Sequence, residues 1–176
     1  MRRSIFFGII VETYFKNVMK YLFSLVTMFL LINCTTNKAT AKYSIIEYEA
    51  GACFGFCPIY KMTINADRTA IFEAKRFNFS RDTSSDKEEG TFRGTINEVQ
   101  YKELVAILHS LNPKKLKDHY GNQNVSDLPT SYLKIDYADG SKKKIEDYGK
   151  HGTPELQKLY QFFDDLKTNQ NWTKIE

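Results

Sequence analysis

Ile59-Tyr60-Lys61-Met62-Thr63-Ile64-Asn65, then Ala66-Asp67-Arg68, then Thr69-Ala70-Ile71-Phe72-Glu73-Ala74-Lys75-Arg76-Phe77: this stretch decides the fold class. In the first run Tyr60, Met62 and Ile64 fall on one face and Lys61 and Thr63 on the other, the period-two pattern of a strand with one buried side. The three residues that follow break the run, and a partner strand resumes after them, so the stretch predicts a β-hairpin. Upstream, Tyr43–Ala50 alternates more weakly, with Ile46 and Tyr48 sharing a face, and predicts a strand that stops at Gly51. Downstream, the polar run from Ser80 to Glu89 predicts a long hairpin loop, and Gly90 to Ile96 a returning strand. Asn97 then stands where an N-cap belongs, with Gln100 three residues on as a capping box, and predicts a helix to about Ser110.

The second half repeats the scheme. Leu133, Ile135 and Tyr137 alternate, Ala138-Asp139-Gly140-Ser141 is a strong turn, and Lys142 to Tyr148 returns with Ile145 as its apolar member. Thr153-Pro154-Glu155 combines an N-cap, a proline at the first helical position and an acid in the first turn. Tyr101, Leu104, Val105, Leu108 and Leu111 make one helical stripe and Leu156, Leu159, Tyr160, Phe163 and Leu166 another of the same spacing, one that is generic for amphipathic helices covering a sheet. The expected architecture is α+β: a mostly antiparallel sheet of about five to six strands with two amphipathic helices packed on one face, formed by residues 43–176 as a single globular domain.

Length and composition agree. A chain of 176 residues, 42% hydrophobic and 26% charged, is long enough to bury about two-thirds of its surface in one core and is neither wholesale disordered nor a polytopic membrane protein. The formal charge of +4 belongs mostly to residues 1–33, which hold Arg2, Arg3, Lys16 and Lys20 against Glu12. Without those four cations and one anion the remainder carries +1, so no global basic field for nucleic acid is expected.

That N-terminal segment has the grammar of a signal. A short cationic start at Met19-Lys20-Tyr21 precedes eleven apolar-rich residues, Leu22 to Ile32, and then Asn33-Cys34. As a helix those eleven residues would reach about 17 Å, short of the roughly 30 Å hydrocarbon core. Leu31-Ile32-Asn33-Cys34 resembles the lipobox of bacterial lipoproteins, with Cys34 as the lipidated residue, although Asn33 stands where a smaller residue is usual; an uncleaved signal anchor is the rival reading. Met19 begins a better-proportioned signal than Met1 does. Residues 1–33 are thus expected to be a signal peptide and 34–42 a lipidated cysteine with a flexible tether, since Thr35 to Lys42 is rich in Thr, Asn, Ala and Lys. Thr35 and Thr36 carry no acidic retention signal, so the expected address is the outer membrane, facing the periplasm.

With Cys34 consumed by lipid, Cys53 and Cys57 remain as an even pair. Gly51-Ala52-Cys53-Phe54-Gly55-Phe56-Cys57-Pro58 is a glycine-bearing turn in which the two Cα atoms come easily within disulfide range. A structural bridge is the favoured reading. A catalytic dithiol would ordinarily have two intervening residues at a helix start, whereas Pro58 leads into a strand, and no histidine pair at ligand spacing accompanies the thiols as a metal site would need. His109, His119 and His151 are scattered, His119 in an expected loop. Lys142-Lys143-Lys144 and Lys114-Lys115 with Lys117 are basic runs of the kind that stay solvated or protect a strand edge. Asp127-Leu128-Pro129-Thr130 is a rigid turn feeding a strand, and Tyr120 with Asp127 are candidates to line a groove, beside a possible aromatic patch of Phe54, Phe56 and Tyr60.

From about Ser44 to Ile175 the chain resembles a bacterial domain-of-unknown-function family of short envelope lipoproteins. The resemblance rests on Ala52-Cys53-Phe54-Gly55, Cys57-Pro58-Ile59-Tyr60-Lys61, Ser126-Asp127-Leu128-Pro129-Thr130, Asp147-Tyr148-Gly149, Pro154-Glu155-Leu156 and Trp172. The family's first hairpin normally turns on Asp-Gly, where this chain has Asp67-Arg68. The resemblance implies a location and a fold and supplies no activity or catalytic residue. The functional expectation is a non-enzymatic, lipid-anchored envelope domain that binds a protein or polymer, with Phe54, Phe56, Tyr120, Asp127 and Pro129 as its surface and no metal or cofactor. The alternative is a thiol-dependent envelope enzyme using Cys53 and Cys57.

Overall fold

The computed structural model describes residues 18–21, 41–79 and 89–176. The segment expected to be a signal peptide, apart from 18–21, which are helical, together with Cys34, most of the expected tether and the expected loop from Ser80, lies outside the described residues. Among the described residues no helix is long and apolar enough to cross a membrane.

The elements follow one another as β1 (Tyr43–Ala50), β2 (Ile59–Asn65), β3 (Thr69–Arg76), β4 (Gly90–Thr95), α1 (Glu98–Leu111), a single 3-10 turn (Pro113–Lys115), β5 (His119–Tyr120), β6 (Thr130–Tyr137), β7 (Lys142–Tyr148), α2 (Pro154–Asn169) and β8 (Thr173–Lys174). The strands form one open sheet in the order β5-β7-β6-β1-β2-β3-β4-β8. The expectation of five to six strands is therefore corrected to eight among the described residues. The six longer strands are those the alternation marks; the other two are two-residue edges, too short to carry any periodicity. One of them also corrects the placing of His119, which lies not in a loop but in β5, pairing in parallel with Glu146 of β7. Every other pairing is antiparallel.

β1 lies at the centre, and its register sets the core. Ile46 is flanked by Ile64 and Ile135, and Tyr48 by Met62 and Leu133. All six are at most 1% exposed. Against this face pack Leu104, Leu108 and Leu111 of α1 and Leu156, Leu159, Tyr160, Phe163 and Leu166 of α2. Tyr48 stacks on Phe163 with centroids 4.7 Å apart and on Tyr160 at 5.5 Å. At the far side Phe72 meets Trp172 at 5.3 Å, and the indole N–H donates to the carbonyl of Leu166 at 3.1 Å, satisfying one of the free carbonyls at the end of α2. Gly94 makes room for that indole, because a Cβ there would sit 2.9 Å from the ring.

The opposite face of the sheet is open and laced with charge. Lys61 pairs with Glu73 at 2.5 Å, Lys134 with Glu47 at 2.6 Å and Lys142 with Asp136 at 2.7 Å. Such pairs contribute between nothing and about 1 kcal/mol each. Their alternation nevertheless fixes which face stays wet, since a slip of one residue would bury the whole set.

Local chemistry ends each element where it should. Asn97 accepts a hydrogen bond from the Gln100 amide at 2.9 Å, and Gln100 returns not to the Asn97 backbone, as in a full capping box, but to its side-chain amide at 2.6 Å. Thr153 caps α2 by accepting from Leu156 N–H at 3.1 Å. Asn112 closes α1 in the left-handed conformation, φ +47°, with Pro113 behind it. In the first hairpin Arg68 takes φ +72°, the conformation glycine ordinarily supplies, and Asp67 holds the turn by accepting from the backbone and hydroxyl of Thr69.

Candidate functional site

Three loops meet at the end of the sheet where β1 finishes and β6 begins. The first is Gly51 to Pro58, closed by the Cys53–Cys57 disulfide with Cα atoms 5.7 Å apart. The second is the Asp127–Pro129 turn, and the third runs from Gly149 to Thr153. Backbone bonds tie them together. Gly51 N–H donates to Thr130 O at 2.7 Å, Phe54 N–H to Asp127 O at 3.1 Å, and Gly149 N–H to Pro129 O at 2.8 Å. A Cβ at Gly51 would lie 3.0 Å from the Thr130 carbonyl, so only glycine permits the approach without a shift. The Tyr148 hydroxyl adds a strut, donating to Val125 O at 2.6 Å.

The disulfide loop carries two exposed aromatic rings. Phe54 is 88% and Phe56 64% exposed. Phe56 leans edge-on against Phe77, centroids 5.3 Å apart, and the Arg76 guanidinium lies 4.6 Å over the Phe77 ring. Asn78 clamps the base of this corner, donating from Nδ2 to Ile59 O at 3.0 Å and Arg76 O at 3.1 Å. Of the residues singled out from sequence, Phe54, Asp127 and Pro129 are thus brought together, and Phe56 shares the loop with Phe54. Tyr60 is buried in the core at 1% exposure and takes no part in the patch. Tyr120 meets the third loop rather than the disulfide loop. It lies in the edge strand β5, its ring packed against Gly152, where a Cβ would be 2.8 Å from Cγ, and its hydroxyl accepts from the Lys117 amide at 3.2 Å.

Beneath the loops lies a buried polar cluster that the sequence reading did not assemble. Asp147, fully buried, accepts from the amides of His151 at 3.2 Å and Gly152 at 2.8 Å and from the Tyr160 hydroxyl at 2.8 Å. A carboxylate that deep is tolerable only because three donors replace its water. Burial, and then the neighbouring Asp147 carboxylate, push the Tyr160 hydroxyl far above the ordinary tyrosine range, so it remains a donor at any physiological pH. Asp164 on α2 accepts from the Tyr60 hydroxyl at 2.8 Å and from Lys167 at 3.0 Å. The Lys167 ammonium also sits 4.8 Å over the Tyr60 ring. Lys150, in the left-handed region at φ +58°, reaches over Tyr48 and Tyr160 with its ammonium 5.9 and 5.6 Å from the ring centres. Burial first, then the charge of Lys167, hold the Lys150 ammonium below the ordinary lysine pKa. The one signal in the sequence was the glycine pair, Gly149 and Gly152, bracketing Lys150 and His151 just after Asp147, which stands on the same strand face as the apolar Ile145.

Half of the lysines in the basic runs are paired with carboxylates. Lys142 is matched by Asp136, Lys143 by Asp118 at 2.5 Å and Lys114 by Asp139 at 2.9 Å. Among the described residues no group of three or more histidine, cysteine, aspartate or glutamate side chains is placed to hold a metal ion. No curated protein matches this chain. Residues 44–167 do match the family model of DUF6438, a domain of unknown function, and the chain belongs to that family.

Proposed function

We propose that this chain is a non-enzymatic binding domain of the cell envelope, lipid-anchored through Cys34, that docks a protein partner on the disulfide loop. The observation that carries the reading is the exposure of Phe54 on a loop with almost no freedom. Burying such a ring stabilises a complex by about 1.5–3 kcal/mol, and a loop already held by a disulfide and two backbone bonds loses little entropy on binding. Gly51–Pro58 holds no charged residue, so the complementary surface is apolar and belongs to a protein rather than to a polyanionic polymer. The tether joins the domain at Tyr43 and the loop follows Ala50, at the other end of a strand of eight residues. At about 3.3 Å per residue the docking loop lies roughly 26 Å along β1 from the point of attachment.

The test is a photo-crosslinking residue placed at Phe54 in living cells, with the exposed Val99 of α1 as control position. A discrete protein adduct at 54 and none at 99 is expected. An adduct pattern common to both positions, or none at 54, counts against docking by the loop. An envelope thiol exchange activity that is lost when Cys53 and Cys57 are changed to Ser would establish the enzymatic alternative instead. Intact mass of the native protein checks the anchor: the expected N-terminus is an acylated Cys34.

A further inference from the structure

We propose that the lysine-rich corner of the sheet where the tether enters docks on anionic lipid headgroups and lays the anchored end of the domain against the bilayer. The inference deepens the proposed function and rests on its lipid anchor at Cys34; it does not depend on what the disulfide loop binds.

The two basic runs lie apart in sequence, and the fold brings them to one place. Lys143 in β7 reaches back to the first run, donating to Leu116 O at 2.6 Å and pairing with Asp118 at 2.5 Å. Lys114 pairs with Asp139 in the β6–β7 turn at 2.9 Å and lies 4.3 Å from the centre of the Tyr137 ring. The tether arrives at this same turn: the Ala138 N–H donates to Lys42 O at 3.1 Å, and Tyr43 pairs with Tyr137. Lys42 and the lysines of the two runs thus gather against Asp118, Asp136, Asp139 and Glu146, a net charge of +3 in a chain that carries only +1 from residue 34 onward. Lys114, Lys142 and Lys143 are paired. Lys42, Lys115, Lys117 and Lys144 are exposed and, among the described residues, have no carboxylate partner.

An ammonium close to an anionic membrane surface favours the bound state about fivefold, over a screening length of about 8 Å at physiological salt. Lysines on a freely diffusing protein gain little from so short a reach. Here only eight residue steps separate Cys34 from Lys42, so an acyl chain on Cys34 keeps the corner within about 28 Å of the bilayer even with the tether fully extended. Contact with the lipid is then intramolecular in effect, which favours the membrane over a free acidic protein as the occupant. The contact also orients the domain. β1 runs from Tyr43 at this corner to Ala50 before the disulfide loop, so a docked corner leaves that loop at the end of the strand away from the lipid.

The experiment incorporates the full chain into vesicles of phosphatidylcholine alone or of phosphatidylcholine mixed with phosphatidylglycerol. A membrane-impermeant amine-acylating reagent is added, and mass spectrometry reads the labelling rate of each lysine relative to Lys158, exposed on α2. With phosphatidylglycerol at low salt the relative rates at Lys42, Lys115, Lys117, Lys142 and Lys144 should fall at least about threefold and recover at high salt. Changing Lys115→Gln, Lys117→Gln and Lys144→Gln together should restore the labelling of Lys42 and Lys142; all three are exposed and unpaired among the described residues, so the fold is kept. Equal relative rates in the two kinds of vesicle, or protection that survives the triple variant, overturns the inference. Protection in envelope membranes from cells but not in the lipid vesicles assigns the corner to an acidic protein and overturns it as well. Intact mass separates its failure from that of the anchor: an acylated Cys34 without lysine protection removes the docking corner alone, whereas protection with an unacylated Cys34 removes the anchor and leaves the headgroup contact standing.

Discussion

Asp147, buried, and Lys150, half-buried three residues on, show how differently two charges can be treated. Asp147 meets three donors and is a fixed point for the loop before α2. Lys150 meets ring faces, and its pKa is depressed by burial and by Lys167, against the opposing pull of Asp164 and Asp147. The sign of its effect on stability follows. A lysine whose folded pKa lies below its unfolded value of 10.5 disfavours folding while charged, fully at neutral pH, and less as pH rises through the folded value toward 10.5. Lys150→Met should therefore raise the melting temperature at pH 7, with the gap narrowing as pH approaches 10. Thermal melts of the two proteins across that range test it; a gap that is constant with pH, or of opposite sign, removes Lys150 as a strained charge.

Among the elements, the helices owe their starts to single residues and their positions to packing. Removing the Asn97 cap by Asn97→Ala leaves the Gln100 amide without its acceptor and should lower stability by about 1 kcal/mol, near 3 °C in melting temperature for a domain of this size. Chemical denaturation with an unchanged slope would confirm a local effect. The two hairpin turns are also built alike. Arg68 N–H bonds Asn65 O at 2.9 Å and Gly140 N–H bonds Tyr137 O at 3.0 Å, while Asp67 and Asp139 each accept from the amide and hydroxyl two residues on. The motif Ala-Asp-X-Thr/Ser was readable in both places. Arg68 in the left-handed position was not, because nothing local favours arginine there; the pairing of β2 with β3 and the Ile96 amide bonded to Arg68 O hold it.

For the whole molecule the disulfide is a local fastening. It spans four positions in sequence, and a loop so short restrains the unfolded chain by only about 2 kcal/mol. Replacing both cysteines by Ser should cost about that much in a denaturant titration and leave the sheet intact, since the central pairings of β1 with β2 and β6 involve neither cysteine. Reduced native protein should melt with the double variant. Failure of the variant to fold would show that the bridge holds the domain together rather than the loop alone.

The six longer strands, both helices with their N-caps, the turns and the cysteine spacing were legible in the order of residues alone. Each depends on interactions within a few positions, and a half-buried strand or helix records its buried face as a repeat along the chain. What the tertiary structure alone decided was which parts meet. The edges β5 and β8 exist because β7 and β4 offer unpaired backbone to whatever passes, and two residues hold no period. The contact of the 51–58 loop with the 127–129 turn follows from β1 lying beside β6, a neighbour some eighty residues away. Asp147 carries no mark of burial in its own neighbourhood; it is enclosed because α2 returns across the sheet and brings Tyr160 onto it, and a partner supplied by another element leaves no local pattern to read.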